Sequence, residues 1–295
     1  MQLFAKFYRY MVRHKRSYMK KILNILLIPA LICGLLTGCK KDKEDPPALP
    51  PVESIEIDFS NFETGKKSGE IVLPKGIESS NWEFAAEVAS IFRGLIFTTL
   101  AVPVLSFHLA ANQNPEYLDN KMWQWNYETD VFTDTYKARL TGQIRADDVE
   151  WKMYITKEGG TGAFPEFLWF TGTSKLDGKS GQWKLNHSPQ FKEPVLQIDW
   201  TRTGTSIGTV RYTYVRALNN DRVADPFKTS FIEYGRQAGA FDAYYEIYYY
   251  NGADFSDMKV EWSTTGHNGR VMCEDFFADT EWHCWNAQYA NIDCL

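Results

Sequence analysis

A long segment with hardly any charge, residues 81–111, places the tightest constraint on how this chain can fold. Between Gly94 and Ala111 the sequence contains no Asp, Glu, Lys or Arg. The segment predicts a helix that is apolar on all sides, and such a helix has no face suited to water. We therefore expect the rest of the chain, or lipid, to surround it.

After residue 115 the hydrophobic pattern changes to a period of two residues. From Val149 to Thr156 apolar residues alternate with polar ones, and similar runs occur around Leu140, Trp200 and Trp262. Such alternation is typical of antiparallel strands with one buried face and one solvated face. The pattern predicts a mainly β fold, an antiparallel meander of about 10–12 strands.

Two arrangements would let such a sheet cover the apolar helix. The sheet can close into a barrel with the helix inside it or across one mouth, or it can form a strongly curved, open sheet around the helix. We expect the barrel, because closure also removes exposed edge strands. Residues 52–295 would form this single domain, and the alternation of Ile55 and Ile57 with acidic residues predicts a first strand at residues 52–59.

The first 38 residues have the features of an export signal. Lys20 and Lys21 precede an apolar stretch, residues 22–35, that is short for a membrane span. The stretch ends in Leu36-Thr37-Gly38-Cys39, which resembles the lipobox of bacterial lipoproteins. The resemblance implies that Gly38 is the last residue of a removed signal peptide. It also implies that Cys39 carries diacylglycerol and an acyl chain such as palmitate, which anchors the protein in a membrane.

Residues 39–51 predict a solvated tether. A cluster of lysines and acids at residues 40–45 is followed by a proline-rich run at residues 46–51, and neither composition can form a packed core. The charged cluster also resembles the export signal of surface-exposed lipoproteins in Bacteroidota-type bacteria, although a plain spacer would have the same composition. The resemblance implies a lipid anchor in the outer membrane, facing the periplasm or the cell surface.

The charge of the chain argues against nucleic acid as a partner. The full sequence has 32 Lys and Arg residues against 37 Asp and Glu residues, a formal net charge of −5. Removing residues 1–38 takes away seven basic residues and no acidic residue, which leaves a net charge of −12. Such a surface repels nucleic acid phosphates.

The cysteines and histidines predict no metal site and no cofactor. Because Cys33 would leave with the signal peptide and Cys39 would carry the lipid, Cys273, Cys284 and Cys294 remain and allow one internal disulfide. A Cys284–Cys294 bond would fasten the C-terminal tail, which we favour, whereas a Cys273–Cys284 bond would bridge a hairpin. No Cys or His spacing typical of a metal site occurs. His108, in the apolar helix, is expected to be buried, where it either forms a hydrogen bond in the core or serves a pocket.

Residues 241–250 predict an aromatic stripe. If Tyr245 and Ile247 face the core, then Tyr244, Tyr248 and Tyr250 lie on the outer face among acidic residues. Aromatic rings beside carboxylates can stack on sugar rings and bind their hydroxyl groups. The same tyrosines can instead stabilise the sheet by pairing across strands, and this is the interpretation we favour.

No catalytic motif of a common hydrolase or nucleotide-binding enzyme is present in the sequence. We therefore expect a lipid-anchored envelope protein with a non-enzymatic binding or accessory role, whose partner is a glycan or another envelope protein. The alternative is a hydrolase of envelope glycan or peptidoglycan, or a carbohydrate-binding protein. An open polar pocket with two facing carboxylates would favour the hydrolase.

Overall fold

The computed structural model of the protein describes residues 45–62, 80–131 and 133–294. The predicted signal peptide, Gly38, Cys39 and the first part of the tether lie outside the described residues. The described chain forms one antiparallel sheet in which each strand is hydrogen-bonded to the next in chain order. The fourteen strands are β1 (Glu116–Tyr117), β2 (Met122–Val131), β3 (Asp134–Ile144), β4 (Asp148–Glu158), β5 (Phe164–Lys175), β6 (Ser180–Asn186), β7 (Pro194–Thr203), β8 (Ser206–Tyr214), β9 (Phe231–Arg236), β10 (Ala243–Tyr250), β11 (Phe255–Trp262), β12 (Gly269–Cys273), β13 (His283–Trp285) and β14 (Asn291–Ile292).

The mainly β, antiparallel meander is confirmed, but the sheet is not closed and the predicted barrel is wrong. Among the described residues, β1 pairs only with β2 and β14 pairs only with β13. Each of these end strands is two residues long, which is too short for a ladder that could join the two edges. The sheet has fourteen strands rather than the expected 10–12 in part because β1 and β14, with two residues each, are too short to show alternation in the sequence. Short edge strands also limit pairing with other chains.

Helix α1 (Asn81–Ala111) is defined at its start by a capping box. The hydroxyl of Ser80 accepts a hydrogen bond from the backbone N–H of Glu83, and the Glu83 carboxylate accepts one from the backbone N–H of Ser80. Two of the N–H groups that a helix start leaves without partners are thereby bonded. Pro103 lies inside the helix without ending it. No helix in the described part of the chain combines the length and the apolar composition needed to cross a membrane.

Helix α1 packs against strands from both ends of the meander, namely β2, β3, β12 and β13. At its start the ring of Phe84 stacks on Phe276 of the short helix α2 (Glu274–Phe277), with 3.8 Å between ring centroids. Towards its end Phe107 is fully buried and contacts Trp183 of β6, with 5.5 Å between centroids. The helix therefore contributes side chains to the core along much of its length.

Residues 52–59 do not form the expected first strand. They contain a 3₁₀ turn at Val52–Ile55, and a second 3₁₀ turn follows at Ser60–Phe62. The segment lies against the buried side of the sheet, where the Tyr245 hydroxyl donates a hydrogen bond to the Asp58 carbonyl, 2.6 Å away. Its alternation of buried and exposed residues thus comes from packing on the sheet rather than from a strand ladder.

Several buried tryptophans in the core of the sheet lie across from glycines. Trp151, Trp183, Trp200 and Trp285 are all buried. The strand register places them opposite Gly142, Gly172, Gly181 and Gly269, respectively. A Cβ atom on any of these glycines would overlap the facing indole. The absent side chain therefore provides the space that each ring occupies.

Candidate functional site

The predicted aromatic stripe lies on the outer face of strands β8–β11. Tyr245 and Ile247 are buried, so their neighbours along β10 point away from the core. The register between β9 and β10 places Tyr244 opposite Gly235, Glu246 opposite Glu233 and Tyr248 opposite Phe231. We refer to this surface as the outer aromatic face.

An arginine and three aromatic rings form a continuous stack across the outer aromatic face. The guanidinium of Arg211 lies over the ring of Phe231, 4.1 Å from its centroid. Phe231 stacks on Tyr248, whose ring is in turn nearly parallel to that of Phe255 at 4.8 Å and 10°. Tyr248 thus has an aromatic ring packed against it from each neighbouring strand, β9 and β11, which leaves little room for a sugar ring to stack on it. For Tyr248 the structure favours the stabilising role.

Tyr244 is oriented differently, because its ring lies over Gly235 of the neighbouring strand. A Cβ atom at Gly235 would overlap the Tyr244 ring and hydroxyl. The hydroxyl donates a hydrogen bond to Glu233 Oε1 at 2.8 Å. Burial first, and then this hydrogen bond, raises the pKa of Tyr244. The ring thus rests with one face on the backbone of β9.

A shallow hollow of about 70 Å³ lies beside Tyr244. It is lined by Gln237, Tyr244, Tyr245, Glu246, Lys259 and Glu261. Ligand pockets for small molecules commonly have volumes of about 300–1,000 Å³, so this hollow can accept only part of a ligand. Its side chains present carboxylate acceptors, an ammonium donor and an amide next to an aromatic ring, a combination that suits a polyhydroxylated group.

The carboxylates around the hollow already have basic partners. Arg211 Nε lies 2.6 Å from Glu233 Oε2, and a second nitrogen of Arg211 lies 3.9 Å from Glu246. Glu261 accepts hydrogen bonds from Arg270 at 2.8 and 2.6 Å. Sequence reasoning missed these residues as a group. Alternation shows that each points outward, but only the strand register brings them together.

Tyr250 and His108 do not join the hollow. The hydroxyl of Tyr250 donates to the carbonyl of Gly252 at 3.0 Å, and its ring contacts Phe227 with 6.0 Å between centroids. His108 is not buried as expected, because 38% of its side chain is exposed and its Nε2 lies 3.0 Å from Glu56 Oε1. The end of α1 lies near the surface at this point, which leaves the imidazole open to solvent.

The cysteines occupy two different environments. Cys284 and Cys294 form a disulfide, with 5.3 Å between their Cα atoms. Cys273 is a buried free cysteine, and burial raises the pKa of its thiol. The described residues contain no group of three or more His, Cys, Asp or Glu side chains placed to hold a metal ion.

Comparison with known proteins identified no relative of this chain. No family model matches the chain, and no match was found among curated proteins or among solved structures.

Proposed function

We propose that this chain is a lipid-anchored protein of the bacterial cell envelope with a non-enzymatic binding or accessory role. The observation that carries the proposal is the run Leu36-Thr37-Gly38-Cys39 directly after an apolar stretch with a basic start. Cys39 would bear the lipid, and residues 40–48 would connect it to the folded domain, because Leu49 packs against the core and Pro50 is buried. Outer-membrane location, facing the periplasm or the cell surface, is part of the same proposal.

The size and chemistry of the hollow beside Tyr244 support binding rather than catalysis. A glycoside hydrolase places two carboxyl groups on opposite sides of the bond it cleaves. Glu233 and Glu246 instead lie side by side on one face of the sheet, and the hollow of about 70 Å³ is too small to enclose a sugar between facing groups. We therefore rank an envelope hydrolase below a binding protein.

Carbohydrate binding is the second candidate, and the ring of Tyr244 is the observation that favours it. One face of this ring rests on Gly235, and Glu246, Lys259 and Glu261 surround the adjoining hollow. A sugar ring could stack there and bond its hydroxyl groups to these side chains. Tyr244→Ala should then lower the affinity for an envelope glycan at least tenfold, whereas Tyr250→Ala should leave it unchanged. Equal affinity of the two variants would contradict carbohydrate binding at this face.

We further propose that the open sheet curves around helix α1. Neighbouring strands are about 4.8 Å apart, so β2 and β13 would lie about 50 Å apart in a flat sheet. One helix packs against both ends of the meander, which supports a strongly curved sheet with α1 on its buried side. In this arrangement the helix would fill the space that an enclosed active site would need.

The lipid anchor is tested by replacing its cysteine. Cys39→Ala should leave the precursor uncleaved and without lipid, and the mass of the purified protein would show both. Cys33→Ala is the matched control, because Cys33 lies within the predicted signal peptide and its loss should change neither cleavage nor lipidation. A mature protein that begins at another residue with an unmodified N-terminus would contradict the proposal.

A further inference from the structure

Two neighbouring loops at one end of the sheet carry most of the exposed large apolar side chains. The loops are residues 187–193, between β6 and β7, and residues 215–230, between β8 and β9. Seven large apolar residues are exposed in the described part of the chain, and four of them lie in these loops. The four are Phe191 (39% exposed), Leu218 (37%), Val223 (56%) and Phe227 (52%).

A buried arginine joins the two loops. Arg216 is only 6% exposed, and its guanidinium reaches Asn220 at 2.7 Å within its own loop and Glu193 at 3.4 Å in the other. It also lies 5.9 Å from the centroid of the Phe191 ring. The apolar side chains are therefore presented by loops that are bonded to each other.

The 215–230 loop is also bonded internally. Asp225 is buried and accepts hydrogen bonds from the Tyr214 hydroxyl at 2.8 Å and from the backbone N–H of Phe227 at 3.1 Å. The exposure of Phe227 is thus a feature of an ordered loop, and not of a segment without contacts.

Three of the four exposed apolar residues stand next to an exposed cation in sequence. The pairs are Phe191 with Lys192, Val223 with Arg222, and Phe227 with Lys228. None of these cations has an ion-pair partner among the described residues. Asp221 is the exposed acid of these loops, and the other two acids, Glu193 and Asp225, are bonded to Arg216 and Tyr214, respectively. The two loops thus hold four basic and three acidic residues, a net charge of +1, in a chain with a formal net charge of −5.

Apolar side chains flanked by cations are complementary to the surface of an anionic bilayer. The apolar groups enter the headgroup region while the cations meet the negative headgroups. A protein partner of opposite charge would need an apolar surface of matching shape, whereas a bilayer accepts scattered side chains such as these. The charge pattern therefore favours a lipid surface as the occupant.

We propose that these two loops dock the domain onto a bilayer that contains anionic lipid. The inference rests on the proposed lipid anchor. Ten residues lead from Cys39 to Leu49, which packs against the core, and an extended chain spans at most about 3.5 Å per residue. The anchor would therefore hold the domain within about 35 Å of the bilayer, where even a weak surface contact becomes effective.

The test uses the lipidated full protein in vesicles of phosphatidylcholine with or without phosphatidylglycerol. An environment-sensitive fluorophore is attached to a cysteine at Val223 or, as the matched control, at Leu176. Leu176 is 52% exposed and lies in the turn between β5 and β6 at the opposite end of the sheet. With anionic vesicles, we expect blue-shifted emission and quenching by a lipid-borne quencher at Val223 but not at Leu176. The same aqueous signal at both positions would overturn the docking.

Two further measurements complete the experiment, namely reversal of the three loop charges and flotation of the protein together with the vesicles. Replacing Lys192, Arg222 and Lys228 together by Glu should reduce the docked fraction in anionic vesicles tenfold or more, since each cation near such a surface contributes about fivefold. An unchanged fraction would overturn the proposed charge contact. If the protein floats with the vesicles but the fluorophore at position 223 still reports a water environment, the docking proposal is wrong and the lipid anchor stands. If the protein does not float with the vesicles, the lipid anchor is wrong as well.

Discussion

The indole Nε1 of Trp183 donates a hydrogen bond to the Oγ of Ser54, 3.1 Å away, although the two residues are 129 positions apart in the chain. Both side chains are buried, with exposures of 1% and 0%. The segment that precedes α1 is therefore part of the core of the β domain. It supplies a hydrogen-bond acceptor for an indole N–H that is shielded from water.

Ser54→Ala should reduce the free energy of unfolding by about 1–3 kcal/mol, because it leaves the indole N–H of Trp183 buried without an acceptor. Urea denaturation followed by tryptophan fluorescence measures the change. Ser60→Ala, at an exposed position in the same segment, is the control and should have little effect. Equal losses for both variants would show that the Ser54 hydrogen bond contributes no stability.

Gly172→Ala should destabilise the sheet by about 1–3 kcal/mol through overpacking. The added Cβ would overlap the Trp183 ring and lie 2.8 Å from the Gln182 carbonyl, and neither the buried indole nor the strand backbone can move away easily. Gly208→Ala is the comparison, since its Cβ would first meet the hydroxyl groups of the exposed side chains of Thr203 and Thr201, at 2.8 and 3.0 Å. Thermal melting of both variants should show the larger loss at Gly172.

The strands were predictable because their side chains obey a local rule. Alternation over four or more residues identifies β4 or β7 without any knowledge of their neighbours. The same rule failed at residues 52–59, where Ile55 and Ile57 are buried because they pack on strands that are far away in sequence. It also missed β1 and β14, which are too short to show a pattern. These elements depend on contacts far away in sequence.

The candidate site was predictable only in part for the same reason. Alternation along β10 places Tyr244 and Tyr248 on the outer face, as the sequence indicated. The different roles of the two rings depend on the register with β9 and β11. Tyr248 meets Phe231 and Phe255, whereas Tyr244 meets Gly235. No property of β10 by itself distinguishes them.

Cys294→Ser should lower the stability by about 2–3 kcal/mol, the amount expected for opening a loop of about ten residues. The effect should reach α1, because Asn81 at the helix start bonds to the Cys284 carbonyl at 2.8 Å and to the Asn291 side chain at 2.7 Å. Melting with and without reductant tests this, since the variant should no longer respond to reductant. Cys273→Ala removes only a free thiol and should keep the response.

Asp242→Asn should destabilise the protein at pH 7 by about 1 kcal/mol, and this loss should shrink as the pH falls below about 3.9. The backbone N–H of Thr264, at 2.7 Å, and then its hydroxyl and Arg236, lower the pKa of Asp242. A carboxyl with a lowered folded-state pKa contributes stability above its ordinary pKa of about 3.9. That contribution is lost as the pH falls through the folded-state pKa.

Urea unfolding at pH 7 and at pH 3 measures the effect of Asp242→Asn. Asp254→Asn, at an exposed position, serves as the control and should show the same small change at each pH. The free energy of unfolding of Asp242→Asn is compared with that of the unsubstituted protein at each pH. If the difference is the same at pH 7 and at pH 3, the charge of Asp242 does not stabilise the fold.

Phe107→Ala tests whether α1 supports the sheet from its buried side. The Phe107 ring is fully buried between Trp183 and Phe170, with centroid distances of 5.5 and 6.4 Å. Truncating such a ring costs about 3–5 kcal/mol, a large part of a typical net stability of about 5–15 kcal/mol. Calorimetry should therefore show a much lower melting temperature than for Glu87→Ala, an exposed position on the same helix. If both variants melt together with the unsubstituted protein, the helix is an appendage and the curved-sheet proposal fails.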